Sequence, residues 1–251
     1  MKQLLWKNLW QSLAAIGFLI VVWIVAHFAV KNPLLIPPFS ESIKEAGALF
    51  ADKAFWVGFA MSLLRAGIAF SISFVLAAIF AVIAYLYPSV GGFLAPIVSA
   101  LRSLPVLAVL LILLSFFGAG EAPVAVAFLS LFPMLYTGIL AALSSVDKHL
   151  IEVSRVQGTP LLRRVGGIYL PLSAPYILKE AGGALSFSVK LVVSAEVLAN
   201  TLQSLGGMMQ EARVYGEIPQ LFALVAVSFI AGLVLECAVS LLAELAERKI
   251  R

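Results

Sequence analysis

The sequence predicts an all-α membrane protein with six transmembrane helices and a cytoplasmic loop folded into two short helices. Three observations carry this. The chain of 251 residues is 62% hydrophobic and 12% charged, with a mean hydropathy of +1.06, too apolar for a soluble domain of that size. Charge-free runs over 8–30, 66–101, 103–120, 122–146 and 218–235 meet the roughly 20 apolar residues that a spanning helix needs. A polar stretch at 145–171 then interrupts the apolar text with dense helix-capping chemistry. In lipid every backbone polar group must pair within the chain, so helices are the default.

The expected spans are 11–30, 58–86, 91–117, 122–144, 175–199 and 218–242, within a single domain over 1–251. Residues 1–30 resemble a signal peptide in having Lys2 and Lys7 before an apolar core. The core is too long and no small-residue cleavage pattern follows it, so a retained first span is expected. Pro33, Pro37 and Pro38 end that span, and Ser40 then begins a short helix. Its Ile43, Ala46, Gly47 and Phe50 recur at helical spacing, as in a helix lying on the outer membrane face. The 66–101 run exceeds one span, and Tyr87-Pro88-Ser89-Val90-Gly91-Gly92 supplies the turn inside it. The 175–199 span is the most polar, with Lys179, Glu180, Lys190 and Glu196.

An even number of spans puts both termini on one side. Segments sharing that side hold Lys2, Lys7, Lys148, Arg155, Arg163, Arg164, Arg248, Lys249 and Arg251, whereas the opposite segments hold Lys31, Lys44, Lys53 and Arg213. Cytoplasmic loops carry the positive excess, so both termini are expected in the cytoplasm. The net charge of +4 is then a topology signal and not a nucleic-acid footprint. The single cysteine, Cys237, allows neither a disulfide framework nor a cysteine metal site. His27 and His149 fall on opposite sides, so no metal pair is expected.

The 145–171 loop has its own grammar. Ser144 or Ser145 can cap a first helix with Asp147 in its opening turn, favourable for the helix dipole. Gly158 can end it in a left-handed conformation. Thr159 caps a second helix with Pro160 at its first position, Pro171 is expected to stop that helix, and Ser173 with Pro175 to start the next span.

Within this loop Glu152, Gly158, Ile168, Leu170 and Pro171 read Glu, five residues, Gly, nine residues, Ile-x-Leu-Pro. The pattern resembles the coupling loop by which permease subunits of bacterial binding-protein-dependent ABC importers dock on their ATPase. Val153 and Ser154 depart from the two alanines of that family's pattern. Leu35-Ile36-Pro37-Pro38, Ser62-Leu63-Leu64-Arg65, Leu101-Arg102-Ser103-Leu104-Pro105, Phe116-Phe117-Gly118, Ser145-Val146-Asp147 and Ala195-Glu196 resemble the nitrate/sulfonate/taurine/bicarbonate group of these permeases.

The resemblance implies a type I importer permease domain in the bacterial inner membrane, most simply a homodimer. Its partners would be ABC ATPase subunits, an extracytoplasmic substrate-binding protein, a second permease copy and the bilayer. Glu152, Gly158, Thr159, Pro160, Ile168, Leu170 and Pro171 would form the coupling loop, and Gly206-Gly207 an outer gate. The chain itself would bind no cofactor, with ATP and Mg on the partner ATPase. No Gly-x-x-x-x-Gly-Lys phosphate loop, no Gly-x-Ser-x-Gly elbow and no nucleophile–base constellation occurs in the sequence, so an enzyme is not expected.

Arg65, Arg102, Lys190 and Glu196 are the charged residues deepest in the spans, where a charge usually faces the bundle interior or water. Lys190 would lie about 22 Å along a span that starts at Pro175. Arg102, Lys190 and Glu196 are candidates for a path favouring a small polar, anionic solute. The competing reading, favoured for Arg65 and Arg102, is interhelical pairing or snorkelling. An ATP-independent channel or secondary transporter is the alternative function, although it has no need of a capped cytoplasmic hairpin.

Overall fold

The computed structural model describes residues 17–250, and the expected first-span residues 11–16 lie outside them. Ten α-helices follow in order among the described residues: α1 Gly17–Val30, α2 Phe39–Ala51, α3 Lys53–Leu86, α4 Pro88–Ser103, α5 Val106–Ser144, α6 Lys148–Val156, α7 Leu161–Arg164, α8 Leu170–Ala199, α9 Leu205–Tyr215 and α10 Ile218–Ile250. A π-helical turn, Val165–Tyr169, joins α7 to α8. The all-α membrane class holds. Among the described residues four helical segments are long and apolar enough to cross a membrane: Lys53–Leu86, Val106–Ser144, Val165–Ala199 and Ile218–Leu241.

The helix bounds correct one expectation and bear out another. The stretch 91–117 is not one helix, because the chain breaks at Leu104-Pro105 between α4 and α5. Proline lacks the N–H that would continue the ladder and drives the preceding residue to extended backbone; Leu104 sits at φ −65° and ψ 131°. The separation expected between 117 and 122 is met at Gly118, whose non-helical φ 74° and ψ 178° divide α5 into two helical stretches across a sharp kink.

The bundle centre is α3, α5, α8 and α10, with α3 on α5, α5 on α8 and α8 on α10. The face that α3 buries is made of small residues. Ser62, Ala66, Ala69, Ser73, Ala77, Ala81 and Ala84 recur every three or four positions and are buried throughout. Lipid offers no hydrophobic drive for helix association, so close backbone approach over small residues supplies it. Ser73 keeps its hydroxyl satisfied by donating to the Ala69 carbonyl at 2.7 Å. Larger residues of α3, such as Ile68, Ile72 and Val75, point outward.

The peripheral helices attach through specific contacts. On α1, the Trp23 indole donates to the Pro37 carbonyl at 3.0 Å, and His27 Nδ1 lies 2.7 Å from the Ile36 carbonyl. Trp23 also packs on Phe222 of α10, with ring centroids 5.0 Å apart. Helix α2 lies against α10, and α9 against α8, α10 and α3.

Ala69→Leu or Ala77→Leu should destabilise the purified protein by about 1–3 kcal/mol, the usual range for overpacking. Ile68→Leu on the outward face should leave the melting midpoint unchanged. Equal midpoints for all three, in detergent scanning fluorimetry, would remove the small-residue face as the basis of packing.

Candidate functional site: a capped hairpin, a buried ion pair and a polar cleft

The hairpin begins at Asp147, whose side chain accepts the His149 N–H at 2.9 Å and so caps α6. The cap is Asp147 and neither expected serine, since Ser144 and Ser145 donate back to the Leu140 and Ala142 carbonyls. Helix α6 ends at Gly158 with φ +68°, and the Thr159 N–H returns to the Ser154 carbonyl at 3.1 Å. That is a six-to-one closure around a left-handed glycine, the Schellman arrangement.

Downstream, Pro171 does not stop a helix. Leu170 donates to the Val165 carbonyl across five residues, and the chain runs through the π turn into α8. The wider turn removes the strict i−4 ladder into which a proline cannot donate. The second half of the hairpin is therefore rooted directly in a spanning helix.

The two faces of α6 differ sharply. Ile151 and Ser154 are buried, and the Ser154 hydroxyl donates to the Ile151 carbonyl at 2.8 Å. Glu152, Val153, Val156 and Gln157 are exposed, Val156 at 89%. Of the two departures from the family pattern, Val153 thus faces outward and Ser154 inward. Tyr169 is buried edge-on to Tyr85 at 5.2 Å between ring centroids, joining the hairpin to the end of α3. Tyr85, Ile151, Glu152, Leu161, Arg164 and Tyr169 line a cleft of about 360 Å³ there. Thr159 is half-buried and Pro160 exposed at the elbow, while Ile168 is half-buried and Leu170 exposed beside the π turn.

At the other end of α8 the fully buried Glu196 pairs with Arg65 Nη1 of α3 at 2.9 Å. Its second oxygen accepts the Ser62 hydroxyl at 2.6 Å and the Gly206 N–H at 3.3 Å. Ser62 in turn accepts the Leu205 N–H at 2.9 Å, and Ser204 caps α9 by accepting from Gly207 at 2.8 Å. A carboxylate at a helix N-terminus and beside a guanidinium is satisfied on every side. Gly206 is required by this closeness, because a Cβ there would collide with the Glu196 side chain and the Val197 backbone.

The candidate path residues are not brought together. Arg102 is exposed and lines a cleft between α4, α5 and α8. Lys190 is exposed on the flank of α8 that passes Gly232 of α10. Glu196 is enclosed in the ion pair. Gly206 is buried and Gly207 half-buried at the base of α9. The interhelical pairing favoured for Arg65 is realised with Glu196, which the sequence offers as a path residue, although two opposite charges deep in spans are the signal that joins them. Glu180, noted in the sequence only as one of the charges that make 175–199 polar, lines the Arg102 cleft.

The family model of the binding-protein-dependent transport system inner membrane component matches residues 73–251. The chain belongs to this family. The taurine transport system permease protein TauC of Escherichia coli is 28% identical over 232 residues, 90% of this chain and 84% of that protein. The putative aliphatic sulfonates transport permease protein SsuC of Bacillus subtilis is 24% identical over 244 residues, 96% of this chain and 82% of that protein. Among solved structures, an amino acid ABC transporter with histidines superposes with a TM-score of 0.65 at 18% identity, covering 82% of this chain and 98% of that one. The inward-facing MetNI methionine ABC transporter gives 0.60 at 19% identity, covering 76% and 93%. The structural likenesses establish the type I permease fold.

The chain is therefore the permease subunit of an ABC importer, a multi-pass protein of the inner membrane. Permeases of this family leave ATP hydrolysis to a separate subunit, and membership implies ATPase and binding-protein partners. For the buried pair, Arg65→Met and Glu196→Met should each destabilise by about 3–5 kcal/mol, because each strands a charge. The double variant should lose clearly less than the sum of the two. Strict additivity of melting shifts would mean that the pair does not weld α3 to α8.

Proposed function

We propose that the chain works as a homodimer whose two 145–171 loops seat on two ABC ATPase subunits. The carrying observation is the outward face of α6, a carboxylate at Glu152 beside exposed Val153 and Val156, held by the closed glycine elbow. A helix that presents apolar surface and one acidic group at the tip of a capped hairpin suits docking into a groove on another protein. Because α7 continues through the π turn into α8, displacement of the hairpin reaches the bundle without a slack linker.

In this reading six spans place both termini and the hairpin in the cytoplasm, with α2 and α9 outside, as the Lys/Arg distribution favours. ATP and Mg reside on the partner ATPase, and this chain needs no cofactor of its own. ATP-driven closure draws the two hairpins together and biases the bundle toward an outward-open arrangement. A soluble binding protein then delivers the solute, and hydrolysis restores the inward-facing state. The solute is small, polar and carries an acidic group. Support comes from relatives named for taurine and aliphatic sulfonates and from Arg102 in the α4–α5–α8 cleft. Arg102 is the path residue that this reading retains. The outer-gate role falls to Gly206 and Gly207 as the foot of α9.

Two experiments test this. Cysteines placed at the exposed Gln157 and Tyr215 in a Cys237→Ala background should react with impermeant reagent from opposite membrane faces; reaction from one face would overturn the topology. Glu152→Lys and Gly158→Val should each lower ATPase co-purification or ATP-driven uptake by about tenfold or more, equivalent to about 1.4 kcal/mol of docking energy. No side chain crowds Gly158, so the second effect would come from left-handed backbone strain. Full transport by both variants would sink the docking assignment.

A further inference from the structure

We propose that the cleft between α4, α5 and α8 is a binding site for a small zwitterion, selecting solutes that carry one acidic group and one ammonium. The inference rests on the importer reading and specifies its solute. The cleft holds about 510 Å³, and Arg102 and Glu180 are the ionisable residues among its lining. Arg65–Glu196 is the ion pair recorded among the described residues, so Arg102 and Glu180 stand in one cleft without pairing with each other. Opposite charges left apart at membrane depth are costly, and a ligand bearing both complements would satisfy them together.

Each half has its own chemistry. Arg102 occupies the last turn of α4, just before the Leu104-Pro105 break, and its planar guanidinium can take a carboxylate or sulfonate through two parallel bonds. Glu180 lies across Gly138 of α5, in a notch that exists because position 138 has no side chain. A Cβ there would stand 2.7 Å from Glu180 Oε1. Next to it the Thr137 hydroxyl spends its proton on the Pro133 and Met134 carbonyls at 3.0 and 2.9 Å. Its lone pairs therefore remain as acceptors, the polarity an ammonium requires.

Leu104, Val106, Phe187 and Leu191 supply apolar wall for a short carbon spacer. Along α5, Ser130 to Gly138 spans roughly 9–21 Å from the hairpin end at 1.5 Å per residue, which places the cleft at mid-depth. A simple anion would meet Glu180, and a simple cation would meet Arg102. A zwitterion meets neither penalty.

The test uses the permease–ATPase complex in detergent, titrated calorimetrically with taurine and β-alanine as sulfonate and carboxylate zwitterions. Ethanesulfonate and propionate serve as anions without an amine, and propylamine as the amine alone. Saturable binding is expected for one or both zwitterions and for none of the others, and which zwitterion binds identifies the acid group. Arg102→Met and Glu180→Gln should each weaken that binding by about tenfold or more, the scale of one hydrogen bond to a charged group. Glu180→Gln should in addition admit the matching simple anion.

Arg102→Lys should retain part of the affinity. Thr137→Val, which keeps both charges, should give a smaller loss and provides a test if a charge variant fails to assemble. Wild-type binding of simple anions as tight as zwitterions, no saturable binding by any probe, or unchanged affinity in the variants would overturn the proposal. ATPase co-purification is read on the same samples. A failed cleft with an intact complex leaves the importer reading standing, whereas failure to assemble in the wild type would refute that reading instead.

Discussion

Glu196 is the constraint around which the half of this molecule far from the hairpin is arranged. An ionised carboxylate in a membrane bundle has to be satisfied from within the protein. The partners it recruits come from separate elements: Arg65 and Ser62 from α3, and the Gly206 N–H from the first turn of α9. Three helices, α3 distant in sequence from the neighbouring α8 and α9, are thereby fixed at one point. The requirement propagates further: the base of α9 needs glycine at 206 to come this close, and Ser62 must be small to lie in the α3 seam while accepting from Leu205. Thr201 extends the anchoring by donating to the Ala119 carbonyl at 2.6 Å, beside the Gly118 kink of α5. The path-lining role first considered for Glu196 gives way here to a joint.

At the opposite end the same helix runs back into the hairpin. Dense capping closes α6 between Asp147 and Gly158, and the tyrosine pair Tyr85–Tyr169 ties the second arm to α3. What looks in the sequence like a proline stop at Pro171 is a passage through a π turn into α8. Such a turn relieves a local conflict in the hydrogen-bond ladder while the chain stays helical from α7 into α8. The hairpin is accordingly an extension of a spanning helix and less a loop between two of them.

Much of this was legible in the residues, for identifiable reasons. Hydropathy gave the class and most helix positions because lipid imposes the same rule on every backbone group. The glycine elbow at 158 was readable because left-handed closure is a local event. The failures share a different character. The Leu104-Pro105 break hides in an apolar run that reads as one span, and the correct cap, Asp147, competes with adjacent serines of equal propensity. Arg65 with Glu196, and Arg102 with Glu180, lie far apart in sequence. Nothing in a single sequence tells which helix faces meet: packing of α3 on α8 brings Arg65 to Glu196, and α5, which packs on both α4 and α8, brings Arg102 and Glu180 into one cleft.

Helix α8 connects the three features. It carries Glu196 at the end far from the hairpin and Glu180 nearer to it, and it follows α7 directly through the π turn. From Leu170 to Glu180 is about 15 Å of helix, a short helical arm with Pro175 inside it. Two helix breaks flank the cleft's other wall, at Leu104-Pro105 and at Gly118, and those are the places where backbone can yield. Movement of the hairpin would therefore carry Glu180 with it, while Arg102, on the far side of the proline break, need not follow. The separation between the two charges then differs between bundle arrangements, and a solute that bridges them binds one arrangement better than the other. Differential binding of that kind is what permits an ATPase that never touches the solute to change the affinity for it.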